Sequence, residues 1–547
     1  MRTTSPGRPP VPDGLDERLA LAARALARAD GVPAAVLDDD PWLTGRADVE
    51  VDDLEARADA LGRFHQRALA RADRLAGGVF HTPVEVGRVL ADLALDALGR
   101  RPAAVLDPAA GGGALLLAAA DALVDRGHPP DEVIRSLAGV EIDPLAASVA
   151  TSTLRRWGWR HGLGWCLDVQ IGAGDAFSWP ADRQVDLLVA NPPFGGRLRG
   201  PALPAPPVRV RARLGAYADL AAAFLVLADQ LTVADGVVAC FTPSSLLGAR
   251  DAAELRQHVV ERRRLAAVWV DPPPFDEVAI DPCAVVLGPP GSRTAALVGG
   301  ERLEVEDPGP TWSAAASAVP EPVGLMTAGR LGDVTEVISP FRDEYYALAD
   351  AVDEDGPGPL LITSGLIDPA RSRWGRTTAR IARRRFRRPT VVLDRVGAAG
   401  ERWVERQRRP KVLVASQTRR IEAIADPDGD LVGITPVVAV VPHDGDPFAV
   451  LAVLLSPIST AVARRGSTGT GLTRSAIRVS GPALAALPLP ADAGAWRRAT
   501  ERLRLDGAAA LVEVEQLMSE AYGLTPDDAL WRWWELARAT LTPAPSE

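Results

Sequence analysis

Four consecutive residues, Asn191-Pro192-Pro193-Phe194, follow the apolar run VDLLVA at 185–190. Two prolines fix the backbone and remove an amide donor, so the Pro192 carbonyl meets no local competition. The Asn191 amide oxygen and that carbonyl can together accept both protons of an exocyclic amine. Such bonds push electron density onto a nitrogen whose lone pair is otherwise delocalised into its ring. Phe194 offers a face on which a flat, extruded base can stack. The chemistry these residues suit is attack by an amine or amide nitrogen on an electrophilic carbon.

Three earlier motifs bear on what would supply that carbon. VLDPAAGGGALL (105–116) reads as a strand ending at Asp107, a turn of Gly111, Gly112 and Gly113, and a helix start. Glycines allow close backbone approach, and a helix N-terminus offers free N–H groups to an anion. A tight turn without a ligand would look the same. In GVEIDP (139–144), Glu141 at a strand end can accept both hydroxyls of a ribose; a solvated strand-end charge is the plain alternative. In GDAF (174–177), Asp175 can accept from an adenine amine and is equally ambiguous alone. Following these three in order, the Asn-Pro-Pro-Phe segment is poorly explained as a mere rigid turn.

The elements that must hold these residues are legible as alternation. Short apolar runs at 103–107, 137–142, 185–191, 236–243, 265–271 and 283–288 alternate with helical periodicity. That pattern predicts a doubly wound, mostly parallel α/β sheet. Residues 1–76 read as an N-terminal helical segment, with a disordered Pro/Gly-rich stretch at 1–14. Residues 77–290 read as the catalytic domain and 291–330 as a connector. From 331 to 490 the texture is mixed, with strand-like PTVVLDRV, KVLVASQT and VGITPVVAVV. Residues 491–547 read as a C-terminal helical segment.

Composition narrows the class. The chain has 547 residues, 47% apolar and 24% charged, which suits several globular domains and excludes a fibrous or disordered protein. No apolar run reaches the ~20 residues of a membrane span, and no signal peptide precedes the first helix. Three scattered cysteines fit a reducing cytoplasm, and no metal-binding spacing occurs. The expected setting is therefore cytoplasmic, without a membrane or a metal. Nearly all the basic residues are arginine, with Lys411 the one lysine. Net charge is −10, yet residues 371–420 carry +14 and the rest −24. Such an island suggests a polyanion-binding face. Its densest run is Arg383, Arg384, Arg385, Arg387 and Arg388. A second basic stretch, holding Arg197, Arg199, Arg209, Arg211 and Arg213, follows the catalytic motif and is placed to contact phosphates.

Taken in order, these motifs resemble the N6-adenine DNA methyltransferases of the gamma order, found in type I and type II restriction-modification and related defence systems. The resemblance covers about residues 77–290. It implies a class I, Rossmann-like methyltransferase fold and S-adenosyl-L-methionine as cofactor. DPAAGGG is similar to the family's DPACGSG, with Ala110 and Gly112 departing from its Cys and Ser. The resemblance places Thr82 and Pro83 at the methionine end of the cofactor, with Asp107, Ala109, Gly111 and Gly113 along the Gly-rich loop. It makes Glu141 the ribose ligand and Asp175 the adenine ligand, with Ile142, Ala176 and Asn191 as further cofactor-binding residues. Asn191, Pro192, Pro193 and Phe194 match the catalytic tetrapeptide, and Phe275 matches an aromatic that packs against the flipped base. More loosely, TSGLIDPARSRWG (363–375) and the stretch from 411 to 490 resemble a target-recognition domain of type I specificity subunits. The implied partner is double-stranded DNA, with room for a separate restriction or specificity subunit. Three alternatives stay open at this point: a catalytically inactive DNA-binding subunit, an RNA base methyltransferase, and a protein-glutamine methyltransferase.

Overall fold

The computed structural model describes residues 14–48, 58–68, 82–180, 182–193, 206–214, 219–270, 272, 282–298, 300–305, 311–339, 342–468 and 476–541. Phe194, Phe275, Arg197 and Arg199, named above, lie outside these residues. The chain divides into two compact units, 1–316 and 317–547.

The first unit is built on a nine-stranded sheet. Its strands are β1 (Val105–Asp107), β2 (Leu137–Glu141), β3 (Gln170–Ala173), β4 (Val185–Ala190), β5 (Thr232–Pro243), β6 (Arg264–Trp269), β7 (Pro282–Gly288), β8 (Thr294–Val298) and β9 (Glu301–Val305). They lie in the order β3-β2-β1-β4-β5-β7-β6-β8-β9. Pairing is parallel from β3 through β5, and β7 runs antiparallel to both β5 and β6. The strand order reverses between β1 and β4, the switch point at which open α/β sheets leave a crevice beyond their carboxyl ends.

Both faces of this sheet are covered, so its central strands are apolar without interruption. Leu187, Val189, Val237 and Ala239 enter one core, beneath helices Val84–Leu98 and Ala114–Asp125. The alternate residues Leu188, Ala190, Val238 and Cys240 enter the other, beneath Leu220–Leu231. Each fully buried Val or Leu contributes about 1.5–3 kcal/mol. The Leu220–Leu231 helix is apolar on nearly every side because it is enclosed, and Asp219 caps it by accepting from the Ala221 N–H at 2.8 Å.

The sequence-based segmentation needs correction at three places. Residues 291–330 are not simply a connector, because β8 and β9 extend the sheet: β8 runs parallel to β6 and β9 pairs antiparallel with β8. The N-terminal helices are not a separate segment either. Leu15–Ala29 and Ala60–Ala68 share a core with Val149 and Trp165 of the α/β unit. Asp30 also accepts from Arg156 and Arg160 at 2.7 and 2.6 Å. In the second unit, the C-terminal helices Ala493–Asp506 and Leu511–Ala521 complete the core begun by the preceding strands.

That second unit holds two four-stranded sheets. One pairs Thr335–Ile338, Val437–Pro442, Lys411–Ala415 and Glu422–Asp426 antiparallel, in that order. The other orders Val352–Glu354, Pro389–Val391, Leu360–Ile362 and Leu431–Gly433. Lys411 is wholly buried and ion-paired with Asp426, which also accepts from the Gly429, Asp430 and Leu431 N–H groups. Arg420 is buried against Glu515 at 2.9 Å and lies over the Trp534 ring, tying the C-terminal helices to the first sheet. Among the described residues, no single helix is long and apolar enough to cross a membrane. The bent apolar pair Pro447–Leu455 and Pro457–Ser467 belongs to this core.

Candidate active site

Parallel pairing sends the carboxyl ends of β3, β2, β1 and β4 to one edge of the sheet. Each of these ends carries a residue singled out in the sequence: Asp175 after β3, Glu141 closing β2, Asp107 closing β1 and Asn191 after β4. At about 4.8 Å between strands, the row spans roughly 15 Å. It suits an extended ligand lying across the strand ends.

The Gly-rich loop bridges β1 and the helix Ala114–Asp125. Gly111 and Gly113 sit at φ +50° and +86°, the left-handed conformation that side chains resist. Gly112 is held by contact instead, since a Cβ there would lie 2.9 Å from the Gly62 Cα in the helix Ala60–Ala68. The loop and the acid on the next strand are joined directly. The Gly111 N–H donates to Glu141 Oε2 and the Asp143 N–H to Oε1, both at 2.9 Å. A carboxylate has about four lone-pair sites, so these two donors orient Glu141 and leave acceptor capacity for a ligand. Beside it Ile142 is 54% exposed, an apolar side chain presented to solvent at the rim. Asp175 accepts from the Phe177 N–H at 3.0 Å and stays half-buried, while Ala176 is buried.

Asp107 lies beneath the loop, fully buried, and its Oδ1 accepts from the Ala109 N–H at 2.9 Å. Burial, with the nearby Glu141 charge adding to it, pushes its carboxyl up to about 8. At neutral pH it is mostly protonated.

The Asn191 side chain is oriented by a residue 109 positions away. Its Nδ2 donates to the Thr82 Oγ1 at 2.9 Å. Thr82 is 5% exposed and precedes Pro83, the N-cap of Val84–Leu98. That bond takes one of the two amide N–H groups and fixes the side-chain orientation, which sets where the amide oxygen can meet a ligand. Pro192 is buried and Pro193 half-buried, which fixes the backbone beside it. Sequence reading reached Thr82 and Asn191 separately; their hydrogen bond carries no local signal.

Of the basic residues after this loop, Arg209, Arg211 and Arg213 are exposed on and beside the short helix Val208–Arg211. The guanidinium of Arg209 donates to the Phe177 carbonyl at 3.3 Å, next to Ala176. In the second unit, Arg383, Arg384, Arg385, Arg387 and Arg388 are all exposed.

The family model for N-6 DNA methylase matches residues 58–288. The Type II methyltransferase M.CvrRI of Paramecium bursaria Chlorella virus XZ-6E is 28% identical over 138 residues, covering 25% of this chain and 29% of the relative's length. The Type IIL restriction-modification enzyme MmeI, solved in complex with DNA, aligns with 97% of this chain and 90% of its own at 12% identity and a TM-score of 0.56. The type IIG restriction endonuclease BpuSI aligns with 93% of this chain and 78% of its own at 14% identity, with a TM-score of 0.44. The likeness to MmeI shows a shared fold. The matched segment 58–288 encloses β1 to β7, the Gly-rich loop, Glu141, Asp175 and Asn191-Pro192-Pro193, so the strand-end row lies wholly within the part of the chain that is similar to N-6 DNA methylases.

Proposed function

We propose that the first unit transfers a methyl group from S-adenosyl-L-methionine to the N6 amine of an adenine extruded from duplex DNA, as part of restriction-modification. The observation that carries this reading is Asn191-Pro192-Pro193 at the β4 end of the switch point, with the Asn191 amide held by Thr82.

The residues fit the cofactor on three counts: the glycine cradle, the pre-oriented Glu141 acceptor and the exposed Ile142 at the rim. Glu141 would take the ribose hydroxyls, Asp175 and the Ala176 backbone the adenine, and the Thr82-Pro83 corner the methionine end. When bound, the cofactor supplies an electrophilic methyl group. The rest is done by the chain. Asn191 Oδ1 and the Pro192 carbonyl accept the two N–H groups of the target amine and hold its nitrogen lone pair out of the ring. These acceptors are preorganised, so little reorganisation is needed at the moment of reaction. Phe194 and Phe275 would stack the extruded base, which costs a few kcal/mol to remove from a duplex. Arg197, Arg199, Arg209, Arg211 and Arg213 would neutralise phosphates around it. The second unit would recognise the target sequence, its arginine-rich face turned to DNA.

Asn191→Ala provides the test. Cofactor binding should persist while methyl transfer to duplex DNA falls by ~10² or more, the usual loss for a preorganised polar group acting on the reacting centre. Transfer of labelled methyl to DNA at a near-normal rate in this variant would overturn the assignment. Transfer to a glutamine peptide or RNA, but not DNA, would redirect it.

A further inference from the structure

The arginine island resolves into two kinds of residue. Ala379–Ile381 and Arg384–Phe386 form a hairpin in register Ala379↔Phe386, Arg380↔Arg385 and Ile381↔Arg384. Its two-residue turn places Ala382 and Arg383 at φ +48° and +68°. Turns with both central residues in this conformation normally use Asn-Gly, because a side chain there is strained. The turn is nonetheless fixed: the Ala382 N–H donates to the Tyr345 hydroxyl at 3.0 Å. One face of the hairpin buries Ala379, Ile381 and Phe386. The other face sets Arg380 directly opposite Arg385, both exposed.

Like charges directly opposed across two strands are destabilising. Among the side chains that the structure describes, no carboxylate is ion-paired with Arg380, Arg383 or Arg385. Their neighbours are engaged within the fold: Arg384 stacks on the Phe386 ring at 4.8 Å. Arg388 lies over Trp374 at 4.9 Å and pairs with Asp355 at 2.9 Å. Arg387 donates to the Gly375 carbonyl at 3.1 Å. A strained, anchored ribbon with three exposed cations on its outer face and tip has the charge and the width for a groove of duplex DNA, into which a two-stranded ribbon fits.

We infer that this hairpin enters a groove of duplex DNA, with Arg380, Arg383 and Arg385 touching the duplex and Arg384, Arg387 and Arg388 as its supports. The inference rests on DNA as the substrate proposed above. Arg380, outside the dense run, joins the DNA-facing set through the strand register alone.

The test combines Arg380→Thr, Arg383→Asn and Arg385→Thr, each substituent better suited than arginine to its backbone position. The melting temperature should hold or rise as the cross-strand repulsion is relieved. Affinity for a mixed-sequence duplex, read by fluorescence anisotropy at three salt concentrations, should fall roughly ten- to a hundred-fold. The slope of log K against log salt should become shallower by about 0.9 for each phosphate no longer neutralised. Arg387→Ser with Arg388→Ser should lower the melting temperature and leave the slope in place. If wild type binds duplex and the triple variant keeps its affinity and slope, the hairpin assignment is overturned. A lowered melting temperature in the triple variant, with DNA binding unaltered, would assign these arginines to stability and overturn it too. If wild type neither binds nor methylates duplex DNA, the underlying reading fails instead, and the inference falls with it.

Discussion

The Asn191 amide has two N–H donors and one acceptor oxygen, and Thr82 accepts from one of the N–H groups, which fixes which way the amide faces. Thr82→Val removes that acceptor at nearly constant volume and leaves the amide free to turn its NH2 toward the target amine. Methyl transfer should fall about ten- to a hundred-fold at saturating cofactor, and Thr82→Ser should restore most of it. Equal rates in the Val and Ser variants would remove Thr82 from a positioning role. Asp107 offers a separate test through pH. Its folded carboxyl holds a proton up to about pH 8, whereas the unfolded chain releases it near 4. The native state therefore binds more protons between these values, and stability from this group falls as pH rises through that window. Asp107→Asn keeps an acceptor for the Ala109 N–H and cannot ionise. Its melting temperature should drop less than that of wild type between pH 5 and pH 8. Parallel drops would mean that Asp107 ionises in the folded protein as readily as in the unfolded chain.

At the scale of elements, the site depends on a helix far upstream of it. The backbone of Ala60–Ala68 approaches Gly112 so closely that one methyl group would displace it. Gly112→Ala should destabilise the first unit by about 1–3 kcal/mol, a typical cost of overpacking, and weaken cofactor binding measured by calorimetry. Unchanged melting and unchanged binding would mean that the helix does not seat on the loop. This packing also marks where the sequence stopped being legible. The strands were readable because their apolar runs are short, continuous and bounded by turns; β1 and β2 end at residues flagged for chemistry, and β4 ends one residue before Asn191. The strands β8 and β9 were not. They follow a Gly- and Pro-rich turn, and Glu301–Val305 is largely exposed and polar at the sheet edge. Arg380 lay in the basic island but outside its dense run, for a different reason. Charge density finds neighbours along the chain, whereas its partner Arg385 is a neighbour across strands.

The whole molecule has separate cores in its two units, which predicts two unfolding transitions in calorimetry. S-adenosyl-L-methionine at about 100 times its Kd should stabilise only the transition of the first unit, by ~2.7 kcal/mol. Arg420→Met should lower only the other. It strands the buried Glu515 without its closest cation, at a cost of about 3–5 kcal/mol. Single coincident transitions in both experiments would show the units to be one cooperative block. The solitary lysine has a consequence of its own. Lys411 is sealed inside the second unit against Asp426, so amine-reactive dyes and lysine crosslinkers meet no side-chain target on the folded protein. Their uptake beyond the chain's α-amine would instead count openings of the second unit, making this one ammonium group a built-in clock for its unfolding.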